Sequence, residues 1–381
     1  MTENFKHSDS KLSVIIPCYN EARTLKQCVQ RLLDLADQLM PLEIIIVDDG
    51  STDHGPSIAS ELEIQEEQVK VLSHKQNQGK GAALRTGIDH ATGDFIAIHD
   101  ADLEYDPKDL KKLLDPLINE KADVVIGSRF LSSGAHRVLY FWHTVANRIL
   151  TILSNMLTDL NLTDIECGQK VFRKKAIDDI NIEEDRFGFE PEIIAKVAHK
   201  RLRIYEVAVS YDGRTYAEGK KIGWKDAVRA IYCILHYNVP YTSLYIQFFY
   251  YSLVGIFSAG VNIISFLAML AAGTPVELAA PIAFCVAAAA NYLTSIIFIF
   301  RHLAKWSLPT ELVLYVLVVA IAAAFDLWIT MSLLALGYAP GTAKGLSAAL
   351  VLMLNFLGRR YIVFPTGGRG PWKPRDHNRA K

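Results

Sequence analysis

Three carboxylates fall within five residues of this sequence, a spacing that suits a metal ion. Asp100, Asp102 and Glu104 follow Phe95–Ile98, an apolar run with the length of a buried strand. Carboxylates this close repel one another unless a cation lies between them, and their hard oxygen ligands favour Mg²⁺ or Mn²⁺. Such an ion can bridge a diphosphate and neutralise charge on a leaving phosphate. Taken alone, the motif is also typical of a solvated acidic loop.

The acidic motif lies in a region where short apolar runs alternate with longer helical patterns. This alternation predicts an α/β domain built on a mostly parallel sheet. The predicted strands are Leu12–Pro17, Glu43–Val47, Val69–Ser73, Phe95–Ile98 and Val124–Ile126, and the predicted helices are Ala22–Met40, Gly55–Glu63 and Gly79–His90.

Polar clusters follow three of the predicted strands: Cys18–Glu21, Asp48 with Asp49, and Asp100–Asp102. Because ligands of such sheets bind at the carboxyl ends of the strands, we expect these clusters to lie together. A dinucleotide-binding fold is a poor alternative, since no glycine pattern follows the first strand. A phosphate loop is equally poor, since Asn77–Gly81 has no Ser or Thr after its lysine.

The C-terminal part has the composition of a membrane domain. Between Tyr241 and Phe300 the sole charged residue is Glu277, and four apolar stretches follow Pro240. Each stretch is near the ~20 residues needed to cross ~30 Å of hydrocarbon. We therefore predict a soluble domain over residues 1–238 and a transmembrane domain over 239–381, with spans at about 248–270, 278–300, 311–335 and 345–363.

The bulk composition argues against three further classes. The formal net charge of −1 gives no basic excess that would point to nucleic acid. The five cysteines are scattered and form no CxxC pair, which argues against a structural zinc site and a disulfide framework. Reduced thiols in a cytoplasm fit them better.

Basic residues beside the spans predict the orientation of the chain. Arg301, His302 and Lys305 follow the second span, and seven Lys and Arg residues from Arg359 onward follow the fourth. The loops on the other side carry one Lys or Arg between them. This places the soluble domain and both termini in the cytoplasm of a multi-pass cell-membrane protein. Asp326 lies inside the third span, where an ionisable residue is either functional or hydrogen-bonded to a neighbouring helix.

Five motifs occur in order along the soluble half. They are Val14–Glu21, Val47–Asp53, Asn77–Gly81, Phe95–Glu104 and Gly127–Arg129. The ordered set resembles the family 2 glycosyltransferases of the GT-A type, over about Leu12–Asn238. Within that family, Asp102–Pro107, Gly127–Phe130 and Arg214–Lys221 resemble the polyprenyl-phosphate sugar synthases of the dolichol-phosphate mannose type. The half with four spans resembles the GtrA-like membrane domain.

The resemblance implies an inverting transfer of a hexose from a nucleotide-sugar, UDP-glucose or GDP-mannose, to a polyprenyl phosphate. Side chains at the strand ends are expected to bind this donor and a divalent metal ion, Mg²⁺ or Mn²⁺. The donor-binding residues implied are Pro17, Tyr19, Glu21, Asp49, Lys80 and Asp100. The metal ligands implied are Asp100, Asp102 and Glu104, the last at a position where relatives often carry Gln.

The acceptor side of this reaction needs cations more than it needs a base. A lipid monophosphate has a second pKa of about 6, so at neutral pH it is largely dianionic and can attack the sugar unaided. The residues expected to grip its phosphate are Arg129, Arg214, Lys220 and Lys221. For the last three, a solvated basic loop or contact with anionic lipid heads is the alternative. Asp164 and Glu166 lie where many relatives carry their catalytic carboxylate. Here one of them is expected to orient the acceptor or to position Arg129, and helix capping with surface charge is the alternative.

Two other functions fit parts of the sequence. A processive polysaccharide synthase shares the acidic motif but usually carries Gln-x-x-Arg-Trp, which this chain lacks. A lipid-linked sugar flippase with a regulatory soluble domain would also use four spans and Asp326. The stretches Val138–Leu157 and Trp224–Tyr237 are amphipathic and suit either the membrane surface or packing on the core. Association of the spans would also allow a homo-oligomer.

Overall fold

A seven-stranded sheet organises the N-terminal part of the chain in this computed structural model, which describes residues 10–131, 137–138, 140–214, 224–300 and 306–365. The strands are β1 (Leu12–Cys18), β2 (Leu42–Asp48), β3 (Val69–Ser73), β4 (Phe95–Ile98), β5 (Val124–Ser128), β6 (Lys170–Arg173) and β7 (Ile204–Ala208). Their order is β3-β2-β1-β4-β6-β5-β7, and all neighbours are parallel except the two pairs that involve β6. The predicted α/β class with a mostly parallel sheet is confirmed.

Helices cover the sheet, and this explains why its central strands are almost wholly apolar. The helices of this unit are α1 (Leu25–Leu33), α2 (Gly55–Gln65), α3 (Lys80–His90), α4 (Leu110–Ile118), α5 (Phe141–Thr158), α6 (Lys174–Ile177), α7 (Phe189–His199) and α8 (Trp224–Asn238). Helix α3 packs very closely on β1. A Cβ at Gly87 would lie 2.4 Å from the side chain of Ile15, so only glycine fits there.

Two strands were not predicted, and one predicted helix is too long. Strand β6 has only Val171 and Phe172 as apolar residues, which is too short an apolar run to recognise. Helix α1 ends at Leu33, whereas the prediction extended it to Met40. Pro41 disfavours helical backbone at the residue before it, and the chain turns there to enter β2.

The carboxyl ends of β2, β1 and β4 lie side by side. Leu12 of β1 is in register with Leu42 of β2 and Phe95 of β4, and the three strands run in the same direction. Just beyond β2, the amide of Asp49 donates to the carbonyl of Cys18 at 2.8 Å. The polar clusters that follow these strands are thus brought to one edge of the sheet.

The second compact unit begins at Asn238 and contains four helices long and apolar enough to cross a membrane. They are α9 (Leu244–Ala271), α10 (Val276–Ser295), α11 (Leu308–Ala335) and α12 (Pro340–Gly358). Each begins a few residues earlier than predicted. Helices α10 and α12 both end in a π-helical turn, at Ile296–Phe300 and Arg359–Val363.

Polar side chains between these helices hydrogen-bond to one another. The Ser347 hydroxyl donates to Asp326 Oδ1 at 2.7 Å, which joins α12 to α11. Asn291 Nδ2 donates to Ser258 Oγ at 3.0 Å, and Arg359 donates to Asn291. Such bonds help to hold membrane helices together, because lipid gives little hydrophobic drive between them. Asp326 therefore makes the bond to a neighbouring helix that was one of its two expected roles.

Candidate active site

The loop after β1 is shaped by Asn20, whose backbone is left-handed at φ +55°. Asparagine adopts this region more readily than most residues. Its Oδ1 accepts from the Thr52 amide at 2.8 Å, and its own amide donates to Ser51 Oγ at 3.0 Å. These bonds couple the loops that follow β1 and β2. They place Tyr19 and Glu21 at the carboxyl edge of the sheet, where Tyr19 is 37% exposed.

Asp49 follows β2 and fastens the loop before α3. Its carboxylate accepts from the amides of Gln78 at 2.9 Å and Gly79 at 2.7 Å, and it contacts His74 Nδ1 at 2.7 Å. Gly79 has φ +107°, and a Cβ there would lie 2.3 Å from a backbone oxygen, so glycine is required. Asp49 is buried, and its bonds position Lys80 at the start of α3. Its contact with a base or ribose stays a prediction.

Lys80 links two acidic groups. Its Nζ lies 2.9 Å from Asp100 Oδ1 and 3.0 Å from Glu190 Oε1. Burial alone would lower the pKa of Lys80, but the two carboxylates outweigh it and raise that pKa. Burial would likewise raise the pKa of Asp100, and Lys80 holds it below its ordinary value. Both groups therefore stay charged at neutral pH.

A methyl group at position 168 should push Asp100 out of place. A Cβ on Gly168 would lie 2.3 Å from Asp100 Oδ2, far inside van der Waals contact. We expect Gly168→Ala to destabilise the domain by about 1–3 kcal/mol, as overpacking does, and to lower its melting temperature. Scanning calorimetry of the full chain in detergent measures this. Gly260→Ala is the control, since a Cβ there meets nothing within 4 Å. Equal melting temperatures for the two variants would contradict the close approach to Asp100.

Arg214 lies among three carboxylates. Its NH2 contacts Asp102 Oδ2 at 2.9 Å and Glu21 Oε1 at 3.1 Å, and its Nε is 3.6 Å from Glu104 Oε1. Burial raises the pKa of Asp102 to about 7, and the charges of Asp100 and Glu104 add to the effect. The surroundings of Asp102 thus hold more negative charge than Arg214 offsets.

Glu104 is engaged by the chain segment that carries Arg214. Its carboxylate accepts from Tyr211 Oη at 2.8 Å and from the Arg214 amide at 2.8 Å. Within the described part of the chain, no three His, Cys, Asp or Glu side chains converge as a metal site. The negative charge around Asp102 and Asp100 nevertheless fits a divalent cation, which prefers carboxylate oxygens. Glu104 as a third ligand stays a prediction.

Arg129 follows β5 and forms a two-point ion pair with Asp164. Its Nε and NH2 lie 2.6 Å and 2.8 Å from Asp164 Oδ2 and Oδ1. Asn147 Nδ2 donates to Oδ1 at 3.0 Å, and Asp164 is fully buried. Burial would raise the pKa of Asp164, but Arg129 and these hydrogen bonds hold it below its ordinary value. Asp164 therefore stays ionised, and both of its oxygens are occupied in orienting Arg129.

A cavity of about 190 Å³ lies beside this ion pair. Four basic side chains are among those that line it: Arg129, Arg137, His143 and Arg214. Arg137 also pairs with Asp212, with 2.7 Å between NH1 and Oδ1. Guanidinium groups beside a small cavity suit an anionic group such as a phosphate, because each offers N–H donors besides those that bind a carboxylate.

Comparison with known families accounts for both units of the chain. Residues 13–180 match the family described as Glycosyl transferase family 2. Residues 250–364 match the family described as GtrA/DPMS, transmembrane domain. Residues 13–180 thus form a family 2 glycosyltransferase domain, and residues 250–364 form a GtrA/DPMS-type transmembrane domain. The predicted family, enzyme class and GT-A fold are thereby confirmed, as is a multi-pass membrane protein.

The glycosyltransferase is similar to several known proteins. Dolichol-phosphate mannosyltransferase of Pyrococcus furiosus is 26% identical over 357 residues, which cover 93% of this chain and 97% of that protein. Glycosyltransferase AglD of Haloferax volcanii is 26% identical over 208 residues, covering 53% of this chain and 33% of that protein. Among solved structures, glucosyl-3-phosphoglycerate synthase from Mycobacterium tuberculosis in complex with Mn²⁺, UDP and glucosyl-3-phosphoglycerate is 20% identical. Its TM-score is 0.47, over 60% of this chain and 80% of that one.

The glycosyltransferase domain gathers most of the predicted site residues into two groups. The group around the end of β4 contains Glu21, Lys80, Asp100, Asp102 and Glu104, and the group around the end of β5 contains Arg129 and Asp164. Arg214 belongs to both, because it contacts the first group and lines the cavity of the second. Pro17 lies inside β1, in register with Val47. Lys220 and Lys221 lie outside the described residues.

Two residues of the site were missed by the sequence reasoning. Glu190 stands in the first turn of α7 and reaches Lys80, and no motif around it signals that contact. Arg137 stands just before Val138–Leu157, the stretch of mixed aromatic and basic residues that was interpreted as amphipathic, and so it was left out. A search for cations near aromatic residues after Arg129 would have found it.

Helix α5 has an exposed apolar side, and His143 and Asn147, which line the cavity, lie on the opposite side of the same helix. Five large side chains on the apolar side are more than half exposed: Phe141, Trp142, Ile149, Ile152 and Met156. Their spacing places them along one stripe of the helix. An exposed apolar stripe of this length marks an interaction surface. Its contact with a membrane stays a prediction.

Proposed function

We propose that this glycosyltransferase moves a hexose from a nucleoside-diphosphate sugar to a polyprenyl phosphate, with inversion at the anomeric carbon. The observation that carries the proposal is the cavity lined by Arg129, Arg137 and Arg214, because one of its walls is α5, a helix whose other side is exposed and apolar. A phosphate attached to a lipid chain would use both features, the basic side chains for its phosphate and the apolar surface for its chain. The Pyrococcus furiosus relative is, by its name, a dolichol-phosphate mannosyltransferase.

The acceptor phosphate would occupy the basic cavity. Arg129 and Arg137 would bind its oxygens, and Asp164 fixes the direction of Arg129 through the two-point ion pair. One phosphate oxygen attacks the anomeric carbon, a new C–O bond forms, and the bond from that carbon to the diphosphate breaks. A dianionic phosphate needs no base for this attack. Asp164, which is held in an ion pair with Arg129, therefore does not need to act as a base.

The donor diphosphate would lie near the end of β4. Asp100 and Asp102 would hold a divalent metal ion, Mg²⁺ or Mn²⁺, which neutralises charge on the departing nucleoside diphosphate when bound. Lys80 keeps Asp100 ionised, and Arg214 supplies the positive charge at Asp102 in this structure. We propose UDP-glucose or GDP-mannose as the donor.

We also propose that the catalytic domain and both termini face the cytoplasm. Arg359 and Arg360 at the end of α12 support this orientation, since basic residues collect on the cytoplasmic side of spans. In that position the domain meets the lipid phosphate at the headgroup plane. Association of the spans into a homo-oligomer is a further proposal and is tested by the mass of the detergent-solubilised protein.

One assay tests the reaction class. Membranes that contain the protein are incubated with polyprenyl phosphate and a panel of labelled nucleotide-sugars, with and without a chelator. We expect lipid-extractable label with one donor, and loss of that label when the chelator removes the metal. Absence of label with every donor would overturn the proposed function.

The apolar stripe of α5 should matter only when the acceptor is embedded in a bilayer. Ile149→Asp places a charge on this surface, so we expect transfer to long-chain polyprenyl phosphate in vesicles to fall about tenfold or more. Transfer to a short, water-soluble prenyl phosphate should be unchanged. Ile64→Asp is the matched control, since Ile64 is also exposed but stands on α2. Equal losses with both acceptors would show that α5 serves only the fold.

A further inference from the structure

Tyr211 lies between the two groups of the proposed active site. It follows β7 and pairs with Tyr105 in an isolated antiparallel bridge, just beyond β4. Its hydroxyl donates to Glu104 Oε2 at 2.8 Å, and the Asp212 amide donates to the Glu104 carbonyl at 2.8 Å. Tyr211 is thus fastened to the group around the end of β4, although it stands 107 residues later than Glu104 in the chain.

The ring of Tyr211 reaches the second group, where it supports Arg129. The guanidinium carbon of Arg129 lies 5.1 Å from the centroid of this ring. A guanidinium within about 6 Å of an aromatic centroid is attracted to the electron-rich face of the ring. Asp164 holds Nε and NH2 of Arg129 by one edge, at 2.6 Å and 2.8 Å. The ion pair and the ring act from different directions, and together they determine where the remaining N–H groups of Arg129 point.

The position of the Tyr211 ring is itself closely determined. A Cβ at Gly213 would lie 2.7 Å from the ring, so position 213 has no room for a side chain while the ring stays in place. The ring of Tyr105 packs against it with 5.2 Å between the centroids. The bond to Glu104 fixes the hydroxyl end. Three contacts on different parts of the side chain therefore make Tyr211 a rigid support for Arg129.

Tyr211 and Arg129 meet at the surface of the basic cavity, which both of them line together with Gly213. Arginine binds phosphate through N–H groups in a fixed, planar fork, so its affinity depends on the orientation of that fork. A side chain that orients Arg129 at this surface therefore bears on phosphate binding. The same side chain contacts Glu104, which belongs to the carboxylate group at the end of β4.

We infer that Tyr211 is a positioning residue for the acceptor phosphate, because its ring holds Arg129 toward the cavity while its hydroxyl joins this position to Glu104. The inference rests on the proposed transfer of a hexose to a polyprenyl phosphate. Binding of the acceptor then depends on an aromatic ring at position 211. Binding of the donor does not depend on the ring.

Two substitutions of Tyr211 isolate the ring. Tyr211→Phe and Tyr211→Leu both lose the hydroxyl, so any effect of Glu104 on the donor is the same in both, and only the ring distinguishes them. Calorimetric titration of the full chain in detergent with a short, water-soluble prenyl phosphate measures the acceptor affinity. We expect the Leu variant to bind this probe about threefold to tenfold more weakly than the Phe variant, as for loss of a cation–π contact. Their affinities for UDP-glucose or GDP-mannose, with Mn²⁺ present, should be equal. Equal acceptor affinities, or an equally large difference for the donor, would overturn the inference.

Gly213→Ala tests the same ring without changing it. The added methyl group would displace the ring from Arg129, so this variant should lose about as much affinity for the prenyl phosphate as Tyr211→Leu does. In the Tyr211→Leu protein the same substitution should cause no further loss, since the methyl group then meets no ring. Additive losses would show that the methyl group narrows the cavity directly, which would contradict the role of the ring.

The controls separate this inference from the proposed function. Tyr205→Leu removes a 43% exposed tyrosine of β7 that is not among the described residues lining the cavity, and it should change neither affinity. Gly213→Ala remains informative if Tyr211→Leu does not fold. If the unaltered protein binds no prenyl phosphate, the proposed function fails and the inference with it. If it binds the probe and the Leu and Phe variants bind it equally well, only the positioning role of Tyr211 fails.

Discussion

Asp102→Asn should reduce sugar transfer by about a hundredfold to a thousandfold while the domain stays folded. The substitution removes one charge from the proposed metal site, so both Mn²⁺ binding and stabilisation of the leaving diphosphate should be lost. The fold should not suffer, because burial and the neighbouring carboxylates already raise the pKa of Asp102 to about 7. Neutralising it relieves repulsion. Transfer assays, a Mn²⁺ titration and a melting curve measure the three effects.

The control for this experiment is another aspartate. Asp115→Asn changes an exposed carboxylate on α4 that accepts from Asn119 Nδ2 at 2.9 Å, and it should keep both metal binding and transfer. Full transfer activity in the Asp102→Asn protein would remove the metal from the mechanism. A lower melting temperature without loss of activity would make Asp102 a structural residue.

Breaking the pair between Arg129 and Asp164 should have the largest effect on stability of the changes considered. Arg129→Ala leaves a fully buried carboxylate without its cation, which is expected to cost about 3–5 kcal/mol. Arg129→Lys keeps the charge but loses the two-point geometry. It should therefore raise the KM for polyprenyl phosphate about tenfold and leave the KM for the donor unchanged. A change confined to the KM for the donor would contradict the role of Arg129 in binding the acceptor phosphate.

The same pair gives the domain a specific sensitivity to acid. The pKa of Asp164 in the folded protein lies below its ordinary value of 3.8, so the pair stabilises the fold above that value. The stabilisation is lost as the pH falls through the folded-state pKa. We expect Asp164→Asn to be less stable than the unaltered domain at neutral pH and to lack this acid-dependent loss. Parallel stability profiles for the two proteins down to about pH 2 would contradict the role of the pair.

The sequence predicted the parts of this fold that depend on local pattern. Strands β1 and β2 are long apolar runs followed by polar residues, and the four spans are long apolar helices. Both signals lie within one stretch of chain. Strand β6 carried no such signal, since half of its residues are Lys170 and Arg173. Its place in the sheet depends on its neighbours, β4 and β5, and neither is adjacent to it in sequence.

The pairing of charges in the site could not be predicted in the same way. Orientation of Arg129 was one of the alternative roles predicted for Asp164, but their two-point contact depends on how the loop before β6 meets the end of β5. Arg214 was expected to bind the acceptor phosphate, and the structure also places it against Asp102, 112 residues earlier in the chain. A charged side chain takes the nearest opposite charge in the folded protein, and sequence spacing does not specify that distance.

Strand β6 runs antiparallel to its neighbours β4 and β5, so the loop before β6, and not the loop after it, lies at the site. The proposed donor residues lie in or just after parallel strands, whereas Asp164, Glu166 and Gly168 belong to a loop that precedes β6. An insertion or deletion in that loop would alter the surroundings of the proposed acceptor site without shifting the register of β1, β2 and β4. The length of the loop before β6 is therefore a means of changing the proposed acceptor site while the proposed metal site keeps its geometry.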